Sequence, residues 1–180
     1  MKGGVTFILG GARSGKSTAA ERMARRGDRV LFVATAEALD EEMDGRIRDH
    51  RRSRPTAWDT VEEPRELVSV LQPRIPHYDV VLVDCITMWV SNLLLAMEGH
   101  NDAERCVADE AHRLLDLMQD SHASWILVSN EVGSGIVPAS PLGRAFRDAL
   151  GRVNQIIAAR SDRVLLMVAG LAFEAPRSSG

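Results

Sequence analysis

The stretch Val5-Thr6-Phe7-Ile8-Leu9-Gly10-Gly11-Ala12-Arg13-Ser14-Gly15-Lys16-Ser17 decides the fold. Its opening run, Val5 to Leu9, is apolar or β-branched throughout, the pattern of a strand buried on both faces, and it stops at a glycine pair. Gly10 to Ser17 then match G-x-x-x-x-G-K-[ST] in full. Small residues there let successive backbone N–H groups turn inward around a phosphate, and the helix that follows adds the partial positive charge of its N-terminus. Lys16 is placed to reach the β- and γ-phosphates, and the Ser17 hydroxyl to bind Mg²⁺. A helix is expected from Lys16 to Gly27, with Ala19, Ala20, Met23 and Ala24 on one side. Such a strand, loop and helix form a P-loop, and they imply that the chain binds ATP or GTP.

Outward from this unit, short β-branched runs alternate with helical patterns. Val30 to Ala34, Val80 to Val83, Trp125 to Ser129 and Arg163 to Val168 read as four further strands. Asp40 caps a helix with Glu41 and Glu42 in its first turn. Thr87 to Met97, apolar nearly all round, reads as a buried helix. Asn101 and Glu104 resemble a capping box, ahead of a stripe formed by Val107, Ala111, Leu114, Leu115 and Met118. Ser140-Pro141 opens another helix. The expected fold is a single α/β P-loop NTPase-like domain over residues 1–180, a mostly parallel central sheet with helices on both faces. Residues from about 173 onward read as a frayed tail. In such sheets ligands bind at the carboxyl ends of the strands, so the residues just after each strand carry the interest.

Composition narrows the classes. With 22 basic and 25 acidic residues the net charge is -3, no excess that would draw nucleic acid or an anionic membrane. The two cysteines, Cys85 and Cys106, cannot build a disulfide framework and suit a reducing compartment. No secretory signal or membrane-spanning run is evident, so a soluble cytoplasmic protein is expected.

Several further residues are candidates for chemistry. Asp84 ends an apolar strand where P-loop folds place the acidic partner of Mg²⁺, although strand-end aspartates are also common as solvated groups. Leu39, Met43 and Ile47 recur every four residues, and His50 falls within the arc of that stripe, near Arg46, Arg51, Arg52 and Arg54. Spacing alone favours a partly buried structural histidine. The chemical alternative stays open: an imidazole kept neutral by cationic neighbours is a nucleophile that needs no base. The Gly- and Pro-bearing run Asn130 to Pro138 marks a constrained loop on the ligand edge or an ordinary turn. Arg144, Arg147 and Arg152 follow it and read as phosphate contacts or surface charge.

In order along nearly the whole chain, these segments resemble one family. The matching residues are Gly10 to Ser17, Ala34-Thr35-Ala36-Glu37, Asp40-Glu41-Glu42-Met43, Arg46-Ile47 with His50, and Arg54-Pro55 with Trp58, Thr60 and Glu62. They continue through Asp84-Cys85, Trp89 to Leu94, Asn130 to Gly133, Gly135 to Pro138, Gly151 and Asn154-Gln155. Together they are similar to the bifunctional adenosylcobinamide kinase / adenosylcobinamide-phosphate guanylyltransferases of cobalamin biosynthesis, the CobU type. The resemblance implies phosphorylation of adenosylcobinamide by ATP or GTP. Transfer of GMP from GTP through a GMP–histidine intermediate follows, giving adenosylcobinamide-GDP and pyrophosphate. It puts that histidine at His50, with Lys16 as the other catalytic residue. It assigns nucleotide contacts to Gly10, Gly11, Ala12, Arg13, Ser14, Gly15, Lys16, Ser17, Thr35, Ala36, Glu37, Arg51, Arg52, Ser53, Arg54, Glu62 and Asp84. Ser17, Glu62 and Asp84 would serve Mg²⁺, and the assembly would be a homotrimer. The chain departs from the family pattern at Gly170-Leu171-Ala172, where Gly-Leu-Pro is expected, and in its tail. The competing reading is another small P-loop metabolite kinase, in which His50 is structural and no covalent adduct forms. A regulatory module that binds nucleotide without turnover is the third.

Overall fold

The computed structural model describes residues 3–37, 45, 55–100 and 102–176. Val5–Gly10 forms β1, and the loop after it feeds α1, Lys16–Ala24. Then come β2 (Val30–Ala34), β3 (Asp59–Glu62), the short α2 (Leu67–Leu71), a 3₁₀ turn at Ile75–His77, β4 (Val80–Asp84) and α3 (Ile86–Ala96). The chain continues through α4 (Ala103–Gln119), β5 (Ser124–Asn130), α5 (Pro141–Arg160), β6 (Arg163–Val168) and β7 (Leu171–Glu174).

The seven strands form one sheet in the order β3-β2-β4-β5-β1-β6-β7. Every neighbouring pair is parallel except β6 and β7. The position of each strand follows from its side chains. β2 is buried along its whole length and β4 everywhere but its last residue, as continuous apolar strands must be when both faces are covered. Alternate residues serve opposite layers. Phe7, Leu31, Val33, Val81, Val83 and Leu127 pack with α2, α3, α4 and α5. Ile8, Phe32, Leu82, Ile126 and Val128 pack with Ala19, Ala20 and Ala24 of α1. Phe7 and Phe32 are wholly excluded from solvent, and burial of such a side chain contributes about 1.5–3 kcal/mol. The two core tryptophans keep their indole N–H groups bonded: Trp89 to Arg65 O at 2.8 Å, Trp125 to Ser121 Oγ at 2.8 Å.

The α/β class, the mostly parallel sheet and the two helical layers follow the sequence reading, but several details differ. Five strands were expected, and among the described residues there are seven. β3 is polar and mostly exposed, and β7 is exposed throughout, so neither carries the apolar signature of a buried strand. β7 also removes Phe173 and Glu174 from the expected frayed tail: Arg163 Nη2 on β6 donates to Glu174 Oε2 at 2.9 Å. Helix α1 stops at Ala24 rather than Gly27, and α3 starts one residue early, at Ile86. Leu95 is exposed on α3, so that helix is not buried all round. Asp102, not Asn101, is the residue before α4, and it makes no side-chain capping bond. Asn101 itself lies outside the described residues. The apolar stripe from Val107 to Met118 is buried as expected. At α5 the Ser140 hydroxyl caps the helix, accepting from Gly143 N at 3.1 Å.

Candidate active site

Because β1 lies inside the sheet, the loop after it opens at the carboxyl edge between the ends of β5 and β6. Both neighbours hold it. Glu131 N, just past β5, donates to Gly10 O at 3.1 Å, and Gly170 N, in the β6–β7 turn, donates to Ser14 O at 3.0 Å. Gly10 has no room for a side chain, since a Cβ there would lie 2.5 Å from Met167 O. Gly15, the residue before α1, has φ +94° and lies close to Gly170; only glycine takes up that conformation without strain. The loop therefore presents the N-terminus of α1, whose first N–H groups have no partner within the helix.

Lys16 is buried, and its ammonium donates to Gly11 O at 2.7 Å, across the mouth of the loop. Burial holds its pKa below the ordinary lysine value of 10.5, while the nearby Cys85 and Asp84 push the other way. Asp84 ends β4, level with Ala34 on β2. Its Oδ2 and the Ser14 Oγ are buried without a hydrogen-bond partner among the described residues. A buried acceptor left unpaired is costly, and here both atoms belong to the loop and to the strand end beside Lys16. Burial, then Asp84, pushes the Cys85 thiol up to about 12, which makes it inert as a nucleophile.

Opposite the loop stands a second wall. Thr35 is fully buried; its hydroxyl donates to Cys85 O at 2.6 Å and accepts from Cys85 N at 2.9 Å. Ala36 and Glu37 follow, partly buried. Glu62 ends β3, level with Ala34. The fold thus brings Gly10 to Ser17, Thr35, Ala36, Glu37, Glu62 and Asp84 to one edge of the sheet. His50, Arg51, Arg52, Ser53 and Arg54 lie outside the described residues, as do Leu39, Met43, Arg46 and Ile47.

The run after β5 is tied into this edge. Thr87 Oγ1 accepts from Asn130 N at 2.7 Å, Ser129 Oγ donates to Asn154 Oδ1 at 2.8 Å, and Asn154 Nδ2 donates to Asn130 O at 3.1 Å. Arg144 serves that loop by donating to Pro138 O and Ala139 O at 3.1 and 2.7 Å. Arg147 pairs with Asp148, and Arg152 is exposed. Sequence reasoning overlooked Gly170 as a brace for the loop, and Asn92, whose amide reaches Thr35. Ala169 and Gly170 both have positive φ and form a turn, and nothing local in the sequence hints at a contact so distant in the chain.

No His, Cys, Asp and Glu cluster of three or more able to hold a metal occurs among the described residues. A cation here would therefore rely on few protein ligands plus phosphate and water oxygens, the manner in which Mg²⁺ binds at nucleotide sites. The unpaired Asp84 oxygen and the Ser17 hydroxyl fit that role.

The profile of the family described as Cobinamide kinase / cobinamide phosphate guanyltransferase matches residues 6–175. The chain belongs to this family. It is an enzyme of the cobinamide kinase / guanyltransferase type, built on a P-loop. Its relatives include the bifunctional adenosylcobalamin biosynthesis protein CobU of Salmonella typhimurium, 44% identical over 173 residues, covering 92% of this chain and 96% of that protein. CobU of Escherichia coli is 42% identical over the same length and with the same shares. CobP of Pseudomonas aeruginosa is 46% identical over 166 residues, covering 92% of this chain and 93% of its own. Among solved structures, the RadB recombinase superposes with a TM-score of 0.54 at 17% identity, over 92% of this chain and 74% of that one. That likeness concerns the fold alone.

Proposed function

We propose that this cobinamide kinase / guanyltransferase works on adenosylcobinamide in two steps, phosphorylation and then guanylylation, with His50 carrying GMP within the second. In the first, the aminopropanol hydroxyl attacks the γ-phosphorus of ATP or GTP, loses its proton and becomes a phosphate ester while the nucleoside diphosphate departs. In the second, the neutral His50 imidazole attacks the α-phosphorus of GTP. A P–N bond forms and pyrophosphate leaves. The new phosphate ester then attacks the same phosphorus, the P–N bond breaks, and adenosylcobinamide-GDP forms with the imidazole regenerated.

The observation that carries this reading is the braced loop with buried Lys16 in a chain of this family. Backbone amides of Gly11 to Ser17 would cradle the phosphates, and Lys16 would give up its bond to Gly11 O for the β- and γ-phosphates. Mg²⁺, bound by Ser17, Asp84 and Glu62, would neutralise charge on the phosphate oxygens. Arg51, Arg52 and Arg54, with Ser53, would hold the nucleotide beside His50.

Two further elements belong to the proposal. The first is a homotrimer. Leu166, Val168, Leu171 and Phe173 are 42%, 51%, 64% and 56% exposed. Leu166 lies opposite Phe173 and Val168 opposite Leu171 on the β6–β7 ladder, so all four share one face, a contiguous apolar surface suited to a subunit contact. The second is a cytoplasmic location; no described helix is long and apolar enough to cross a membrane.

The test of the mechanism is to incubate the protein with α-³²P-GTP and Mg²⁺ and denature it. Acid-labile, base-stable label is expected on wild type and none on His50→Ala. Active protein without such label refutes the covalent route and favours a kinase alone.

A further inference from the structure

We propose that Asn92, together with Trp89 one helical turn before it, is a positioning residue for the guanylyl-transfer step. The inference rests on the reading of His50 given above. Both side chains project from the same face of α3, being three residues apart, and both reach the wall opposite the P-loop. Asn92 is 3% exposed, and its Nδ2 donates to Thr35 O at 2.8 Å and to Pro64 O at 3.1 Å. Trp89 Nε1 donates to Arg65 O at 2.8 Å. A single helix face thus holds the end of β2 and the corner that follows β3.

These are the two places that matter for His50. The chain leaves the sheet after β2 at Thr35, runs through the connection that contains position 50, and re-enters the sheet as β3, whose last residue is Glu62. Glu63 N donates to Ala34 O at 2.9 Å, the final backbone link between the two strands. Beyond that link, the Asn92 amide is the connection that fixes Thr35 against Pro64. Thr35 is held a second time through its hydroxyl, on the Cys85 backbone at the root of α3.

Two facts set this clamp apart from ordinary core packing. The Asn92 Oδ1 is buried with no partner among the described residues, so the amide is retained for its donors at the cost of an unpaired acceptor. An apolar residue of that size would carry no such cost, but would leave the buried Thr35 carbonyl and the half-buried Pro64 carbonyl unheld by this side chain. The P-loop, in contrast, is braced from the other side, by Glu131 N and Gly170 N, and no bond of Trp89 or Asn92 reaches it. Loosening the clamp should therefore shift the wall from which the His50 connection departs and leave the phosphate cradle in place.

The experiment compares two rates in the same folded protein. The single-turnover rate of self-labelling with α-³²P-GTP reports His50 reaching the α-phosphorus. The turnover of adenosylcobinamide phosphorylation reports the cradle. Asn92→Ala should slow labelling by about 10- to 100-fold, the penalty of a misplacement near 1 Å, and phosphorylation by a clearly smaller factor, since Thr35 and Glu62 shift while Gly10 to Ser17 keep their own braces. Trp89→Phe keeps the buried ring and removes only the N–H, so a smaller loss with the same bias is expected. Equal losses in both rates, or unchanged labelling in folded Asn92→Ala, would overturn the proposal. If Asn92→Ala does not fold, the same comparison in Trp89→Phe decides. Wild type that never labels would instead count against the covalent reading of His50.

Discussion

Replacement of Gly10 by alanine tests how the phosphate loop is held. Gly10 is the last residue of β1 and lies level with Met167 of β6. A Cβ on Gly10 would lie 2.5 Å from Met167 O and 2.6 Å from Ser14 Oγ, about 0.9 Å short of the 3.4 Å at which ordinary contact begins. Met167 O is backbone within a paired strand, so it cannot swing aside as a side chain would. Either β1 and β6 separate or the loop lifts at Ser14. Overpacking of this kind costs about 1–3 kcal/mol, which for a chain of this size lowers Tm by roughly 2–12 °C. Displacement of the loop should also cut phosphorylation by about 100-fold, because the reacting atoms lose their alignment. Gly11→Ala is the matched control: nothing lies within 4 Å of its added Cβ, and its stability should stay within about 0.5 kcal/mol of wild type. Scanning calorimetry and initial rates read both variants. Wild-type melting and turnover in Gly10→Ala would refute the argument.

Asn154→Ala would remove the bonds to the buried Ser129 hydroxyl and to Asn130 O, leaving Ser129 Oγ its longer 3.3 Å contact with Thr87 Oγ1, with an expected loss of about 1–3 kcal/mol in urea unfolding. Because burial lowers the Lys16 pKa, Mg·GTP affinity should fall as pH rises through that lowered value, below 10.5. The protein without nucleotide should gain stability over the same window, since there the unfolded chain binds more protons; titration calorimetry against pH, with Lys16→Met as the flat control, checks the sign. Asp79 accepts from the Arg29 side chain and backbone, which lowers its pKa below the model-compound 3.8. The stability it contributes is present above that value and lost as pH falls through the lowered one, so wild type and Asp79→Asn should converge in acid when unfolding midpoints are compared. If the proposed homotrimer forms through the β6–β7 face, wild type should sediment as a trimer and Leu171→Asp with Phe173→Asp as monomers; a monomeric wild type would refute that assembly.

How much of this was legible in the sequence depended on whether a signal was local. β1, the P-loop and α1 were legible because the apolar run, the glycines and the lysine are contiguous and each residue type has one physical use. β2, β4 and β5 were legible because burial on both faces leaves an unbroken apolar run. Asp84 stood out as the charged end of such a run. β3 and β7 were not visible, since edge strands with solvent on their sides need no apolar pattern and are defined by the neighbour they pair with. The same holds for the braces. Gly170 N reaching Ser14 O, and Asn92 reaching both Thr35 O and Pro64 O, join residues far apart in the chain and leave no periodic trace. The role of His50 came from resemblance, because spacing alone favours a structural histidine there.

The central claim is that one P-loop chain both phosphorylates adenosylcobinamide and guanylylates the product. Mass spectrometry of adenosylcobinamide incubated with the pure protein, Mg²⁺ and GTP tests it most directly. The account predicts adenosylcobinamide phosphate appearing first and then converting to adenosylcobinamide-GDP with one pyrophosphate released per molecule, while His50→Ala stops at the phosphate and Lys16→Ala yields almost neither. Conversion by His50→Ala at the wild-type rate, or a wild-type reaction that ends at the phosphate, would contradict it.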